Sequence, residues 1–276
     1  MNLRFASIID WDDKAYAGRV ASVVYLAGCP LRCPWCYSGT LVTAPSECSA
    51  EKPIEFFHNH LLKQRGKSNA VVFTGGEPCE QGNALAELCA KLRAEGFAIK
   101  IETNGYYPEA LAALIPHADF VALDVKTRLT QEAQGDYARA CGFNGNAELL
   151  VSNVLRSIAF LESRGAQYGV AWEARTTIVP GVNDDPAITR DIALATKNAA
   201  LHAFQSFESN GREHVDPQFS QREEPSREKM FELAAAARDA LNENAKNAGN
   251  SENTEKTENA ANADVRVRIR GAEAKL

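Results

Sequence analysis

The sequence predicts an α/β fold whose parallel strands form a partial (β/α)6 TIM-type barrel. Three observations predict it. Six short runs rich in β-branched residues alternate strictly with six helical patterns, which calls for parallel strands joined by right-handed crossovers. Six units are too few to close an eight-stranded barrel. Glycine-rich or polar motifs follow several of the strands, where parallel barrels carry their chemistry. An open doubly wound sheet meets the same count and stands as the second reading.

The elements follow in order. ASVVYLAG (21–28) reads as the first strand and KPIEFFHNHLLKQRG (52–66) as a helix. AVVFTGG (70–76) is the second strand, followed by a helix over NALAELCAKLRAEG (83–96) that closes on Gly96. AIKIETNG (98–105) is the third strand, and PEALAALI (108–115) is a short helix opened by Pro108. FVALDVK (120–126) is the fourth, followed by a polar loop and a long helix near 146–164. GVAWEARTTIV (169–179) is the fifth. The next helix has Asp185 as its N-cap and Pro186 at its first position. LHAFQSF (201–207) is the sixth, and Ser226 caps a helix over 225–241.

Residues 1–241 therefore form the barrel domain. Residues 242–264 hold Asn, Ala, Glu, Lys and Thr with no apolar side chain larger than Ala, too little to offset ordering entropy, so a flexible insert is expected. Residues 265–276 begin with VRVRIRG, whose alternation is that of a half-buried edge strand.

A chain of 276 residues with 45% apolar residues can bury a sizeable core. Its formal net charge of −6 argues against general nucleic-acid binding. The first 20 residues lack a signal-peptide core, and no run approaches the roughly 18 apolar residues of a membrane span. A cytoplasmic protein without membrane or nucleic-acid partners is expected.

Three of the seven cysteines, Cys29, Cys33 and Cys36, fall within the fifteen residues YLAGCPLRCPWCYSG. Clustered thiols in such a chain point to metal or redox chemistry. Structural zinc needs four ligands, and Cys48 is the fourth that a zinc-stabilised binding module would use. A fully ligated [4Fe–4S] cluster also needs four. Three thiols on one loop leave one iron open to a substrate or cofactor.

Four strand ends carry groups that suit such a ligand. TGGEP (74–78) offers two glycines and the Glu77 carboxylate for an ammonium group. ETNG (102–105) offers Thr103 and Asn104 to sugar hydroxyls. DVK (124–126) places Asp124 and Lys126 on one face, a negative and a positive group for a zwitterion. VPG (179–181) ends the fifth strand. No side chain is singled out as an acid, base or nucleophile.

CPLRCPWC resembles the CxxxCxΦC signature of the radical S-adenosylmethionine (SAM) superfamily, and TGGEP resembles its GGE motif; the likeness runs over about residues 5–240. The resemblance implies a partial (β/α)6 barrel with a [4Fe–4S] cluster on Cys29, Cys33 and Cys36. The open iron of that cluster would bind SAM for reductive cleavage to a 5′-deoxyadenosyl radical. It implies SAM contacts from Gly75, Gly76, Glu77, Asp124 and Lys126; Thr103 and Asn104 suit the SAM ribose, and Arg175, on the fifth strand, either contacts the SAM carboxylate or ribose or forms a structural ion pair. IETNGYYPEALAALIPHADFVALDVK and TTIVPGVND are similar to glycyl-radical-enzyme activases, above all those of anaerobic ribonucleotide reductase. That likeness implies a glycyl radical enzyme as partner and a flavodoxin or ferredoxin as reductant. Tyr37-Ser38 stands where many such activases have His-Asn. A 7-carboxy-7-deazaguanine synthase-like enzyme is the alternative, since TGGEP and ETNG occur there too.

Other residues have plainer expectations. Cys89 is a core residue, Cys79 a spare loop thiol, and His58 and His60 surface residues. His202 is a possible site residue. Trp35 and Tyr37 shield the cluster. Residues 127–145 are either a lid or a solvated connection.

Overall fold

A computed structural model describes residues 1–43, 45–209, 211, 213–249, 264–269 and 272–276. The chain divides into two compact units. The first is Met1–Arg32, Cys36–Leu123 and Ser152–Ala171; the second is Cys33–Trp35, Asp124–Val151 and Trp172–Leu276.

In the first unit β1 (Asn2–Tyr16) pairs antiparallel with both β2 (Arg19–Leu26) and β3 (Ala50–Pro53). The strands β2, β4 (Ala70–Gly75), β5 (Ala98–Thr103) and β6 (Phe120–Asp124) then run parallel. These four match the first four expected strands. The sequence reading assigned no strand to β1, because only Leu3 of its fifteen residues is buried and its pairing with β2 shifts register three times. No clean alternation remains to be read. The helices are α1 (Gly39–Thr43), α2 (Pro45–Cys48), α3 (Ile54–Gln64), α4 (Gly82–Ala94) and α5 (Pro108–Leu114). Helical spacing puts Ile54, Phe57 and Leu61 of α3 on one buried face, and α4 buries Leu85, Leu88, Cys89 and Leu92 in the same way. Gly96, at φ 84°, ends α4 in the left-handed conformation that glycine adopts freely.

The second unit holds α6 (Gln134–Ala140) and the start of α7 (Ala147–Phe160), which continues as a π turn (Leu161–Gly165) and α8 (Ala166–Tyr168) in the first. Its strands β7 (Ala171–Ile178) and β8 (Leu201–Ser206) run parallel and are the fifth and sixth expected. The Asp185 carboxylate accepts from Ala187 N at 2.7 Å to cap α9 (Pro186–Ala195). Ser226 Oγ accepts from Lys229 N at 3.1 Å at the start of α10 (Arg227–Gly249). Ile178, Phe204, Met230, Leu233, Ala237, Leu241, Val265 and Val267 form the core of this unit.

Two expectations change. Helix α10 continues to Gly249, so residues 242–249 of the expected flexible insert are helical; Arg190 pairs with Glu243 at 2.7 Å on this stretch. Of the rest of that insert, residues 250–263 lie outside the described residues, and Asp264 already belongs to a strand. Of VRVRIRG, residues 265–269 lie in β9 (Asp264–Ile269), parallel to β8, with Val265 and Val267 buried. Strand β10 (Ala272–Lys275) then pairs antiparallel with β9, so β10 and not β9 is the edge. In the first unit β3 is an edge strand, and among the described residues neither unit closes its strands into a barrel. Among the described residues no helix is long and apolar enough to cross a membrane.

The GGE turn after β4 is joined to the start of the cysteine loop. Gly76 N donates to Leu26 O at 2.8 Å and Glu77 N to Gly28 O at 2.7 Å. A Cβ on Gly76 would lie 2.0 Å from Gly28 O, and one on Gly75, at φ 109°, 2.4 Å from Leu26 O. These glycines are needed first for the approach of two backbones. Gly76→Ala is expected to cost about 1–3 kcal/mol, read as a lower denaturant midpoint at unchanged slope. An unchanged midpoint would mean that the loop moves aside freely.

Candidate functional site

In the first unit the site is built on Glu77. Its carboxylate is 1% exposed and accepts from Cys79 N (2.9 Å), Thr103 Oγ (2.7 Å) and Asn104 N (2.7 Å). Burial pushes its pKa up, against the lowering effect of these donors. Three donors occupy most of the roughly four acceptor positions of a carboxylate. Glu77 thus ties the end of β4 to the end of β5. Thr103 and Asn104 face it rather than standing free: the Thr103 hydroxyl also accepts from Gly105 N at 3.1 Å, and Asn104 Oδ1 accepts from Tyr106 N at 2.9 Å. Asn104 Nδ2 donates to Cys29 Sγ at 3.6 Å. The Cys29 carbonyl accepts from Arg32 Nη1 at 2.6 Å. Cys36 and Cys29 are half-buried.

In the second unit Asp124 accepts from Lys126 Nζ at 2.8 Å and from Arg175 Nε at 2.6 Å. Burial alone would raise the Asp124 carboxyl, but the charges of Arg175 and Lys126 overcome it and hold it well below the usual carboxylate range. Burial would lower the Lys126 ammonium; Asp124 and Cys33 more than compensate and raise it. The expected negative-and-positive pair is therefore already joined, and with Arg175 the three groups carry a net single positive charge. That charge suits an anionic group such as a carboxylate better than it suits a zwitterion. Asn183, wholly buried, supports the triad: its Nδ2 donates to Lys126 O and Thr177 O, each at 2.8 Å, and its Oδ1 accepts from Val179 N at 2.7 Å. Sequence reasoning missed Asn183; the asparagine just after the VPG turn is the one trace of it.

Cys33 is buried in the same unit. A hydrogen bond with Cys141 draws its thiol pKa down, burial opposes this, and Lys126 adds to the lowering. The shift is in the direction of the thiolate, the form that ligates metal. Cys141, to which no role was assigned, is fully buried at the end of α6. Residues 127–145 are not a solvated connection: they contain α6, and Tyr137, 1% exposed, accepts from Lys126 N at 3.4 Å. Trp35, 5% exposed, packs against Phe219 at 6.3 Å between ring centroids, and Asp216 N donates to Pro34 O at 3.0 Å. The segment after β8 thus braces Pro34 and Trp35, a role invisible in its polar sequence.

The remaining expected residues sort plainly. Tyr37 is 58% exposed. Cys89 is in the core and Cys79 is buried beside Glu77, so Cys79 is no loose loop thiol. His60 lies near the surface against Asp10 at 2.7 Å. His202 is packed away from the strand-end chemistry: Nε2 bonds Thr196 O at 3.1 Å, and burial lowers its pKa to about 4.

Among the described residues no three Cys, His, Asp or Glu side chains are gathered as a ready-made metal cage. The donor chemistry nevertheless fits an iron–sulfur cluster. The set is three thiols; Cys29 Sγ receives an amide donor, and Cys33 is held toward the thiolate.

The fold and these strand ends define a class. The Radical SAM superfamily matches residues 23–189. The chain belongs to the radical SAM superfamily: it is a radical SAM enzyme with the partial (β/α)6 barrel of that class, and its cofactors are a [4Fe–4S] cluster and SAM. Among named relatives, a candidate glycyl-radical enzyme activating enzyme of Methanocaldococcus jannaschii is 29% identical over 240 residues, 86% of this chain and 93% of that protein. The 7-carboxy-7-deazaguanine synthase of Thermococcus kodakarensis is 26% identical over 173 residues, 54% of this chain and 62% of that one. Among solved structures, a radical SAM methyltransferase from Sphaerobacter thermophilus aligns with a TM-score of 0.56 at 14% identity, over 82% of this chain and 65% of that one, a likeness of fold alone. The zinc-stabilised binding module is set aside by this membership.

Proposed function

We propose that the protein is a glycyl-radical-enzyme activase, acting in the cytoplasm on a partner such as anaerobic ribonucleotide reductase and reduced by a flavodoxin or ferredoxin. The observation that carries this reading is the extent of the likeness to the activating enzyme, which spans nearly all of that relative. The deazaguanine synthase alignment covers a smaller part of both chains.

In this reading Cys29, Cys33 and Cys36 hold the cluster. Bound there, a reduced cluster would supply the electron for cleavage of SAM to methionine and a 5′-deoxyadenosyl radical, and the hydrogen atom that radical takes would come from the partner's glycine. Asp124, Lys126 and Arg175 hold the SAM carboxylate by their net positive charge. Gly75, Gly76 and Glu77 face its ammonium group, where Glu77 keeps an acceptor position, and Thr103 and Asn104 border the ribose. Tyr137 and α6 exclude water from the second unit's charges.

The test is anaerobic. The reconstituted protein is reduced with dithionite and given SAM with anaerobic ribonucleotide reductase. A glycyl radical signal on the reductase, formed with an equivalent of 5′-deoxyadenosine, is expected. If 5′-deoxyadenosine forms but no glycyl radical does, while 7-carboxy-7-deazaguanine appears from that synthase's substrate, the synthase reading replaces this one.

A further inference from the structure

We propose that Asn104 is a positioning residue for the cluster: its side-chain amide donates to the Cys29 sulfur and thereby sets the reduction potential of the iron–sulfur centre. This rests on the reading of Cys29 as a cluster ligand.

The geometry fixes which end of the amide meets the sulfur. Asn104 Oδ1 lies 2.9 Å from Tyr106 N, a group that can only donate. The oxygen must face that backbone N–H, so Nδ2 faces Cys29 Sγ, 3.6 Å away. The side chain has little freedom to turn: the residue is 8% exposed. Its backbone is held from the other side, where Asn104 N donates to Glu77 Oε2 at 2.7 Å. Glu77 is in turn fixed by Cys79 N and Thr103 Oγ. A Cβ on Gly105, at φ 75°, would meet Leu123 Cδ1 at 2.8 Å, so the turn carrying Asn104 is close-packed too. The buried Glu77 therefore acts through the backbone of Asn104 to aim one N–H at one sulfur.

The consequence follows from charge. A donor on a ligating sulfur draws electron density from the metal–sulfur bond. It favours the reduced, more negative cluster, and the potential rises. Sequence reasoning placed Asn104 beside the SAM ribose. The hydrogen bond to Cys29 gives it a task that exists before SAM arrives.

The experiment compares wild type, Asn104→Leu and Asn104→Asp as anaerobically reconstituted full chains. Iron and sulfide are counted, and the midpoint potential is measured by redox titration followed by electron paramagnetic resonance, without SAM. Asn104→Leu is near in shape, neutral and without a donor. Its reduction equilibrium is expected to fall about threefold, about 30 mV where tenfold is 59 mV for one electron. Asn104→Asp is expected to fall further, since a charge is added. An unchanged potential in Asn104→Leu overturns the proposal, as does a fall confined to Asn104→Asp, which is the work of the charge alone. If neither variant holds a cluster, Asn104 is a scaffold for the loop and the tuning role is overturned. If wild type itself assembles no [4Fe–4S] cluster, the ligand reading has failed, a result distinct from all of these.

Discussion

Cys36→Ala is expected to give a folded, colourless protein that forms no 5′-deoxyadenosine. Cys36 is half-buried, so its loss costs the fold about 1 kcal/mol or less. Its loss as a ligand is far larger. Removing a mere supporting group of a metal site costs about 10–100-fold, and removing one of three ligands exceeds that. The comparison with Cys48→Ala makes the result specific. The Cys48 thiol lies 3.9 Å from the Pro45 carbonyl within its own short helix. Its substitution should leave iron content and SAM cleavage at wild-type levels. Iron content by absorption and 5′-deoxyadenosine by chromatography read both variants. A Cys36→Ala protein that keeps its colour and its turnover would sink the assignment of the three cysteines.

Asp124→Ala is expected to destabilise the protein by about 3–5 kcal/mol at pH 7, because it removes the carboxylate that the partly buried Lys126 and Arg175 share. The side chains of the three are 23%, 14% and 15% exposed, so solvent screens the loss only in part. The sign of the pH dependence follows from the direction of the shift. The Asp124 carboxyl is held well below its ordinary range in the fold. Its contribution is therefore complete above the unfolded carboxylate pKa of about 3.9, and is lost as pH falls through the lower folded value. The gap between wild type and Asp124→Ala should stay constant from about pH 8 to pH 5 and narrow below about pH 4. Urea unfolding at several pH values measures it. A gap below about 1 kcal/mol at pH 7 would place the triad among surface ion pairs.

Much of the site was legible in sequence because its signals are local. Three thiols in one loop, a GG turn after a strand and a period-two Asp–Lys pair need only neighbouring residues to be recognised. Six of the parallel strands were legible too, because hydrophobic runs and caps such as Asp185 and Ser226 write themselves in a few consecutive positions. Strand β1 was not. Its exposed residues and register shifts erase the alternation, and its pairing is made by partners at β2 and β3. Helix α10 outran the compositional reading of 242–249, since Asn, Ala, Glu and Lys continue a helix once a packed one has begun.

The sequence by itself determined the strand and helix alternation, the three thiols and the motifs at the strand ends, because each is set by spacing along the chain. Only the tertiary structure decided what those groups touch. It joined Asp124 to Lys126 and Arg175, turned Glu77 inward onto Cys79, Thr103 and Asn104, set Cys141 against Cys33, and aimed the Asn104 amide at Cys29. Most of these contacts link residues far apart in the chain. Their partners are chosen by burial, which forces each polar group to find one and leaves the choice to whatever the packing brings near.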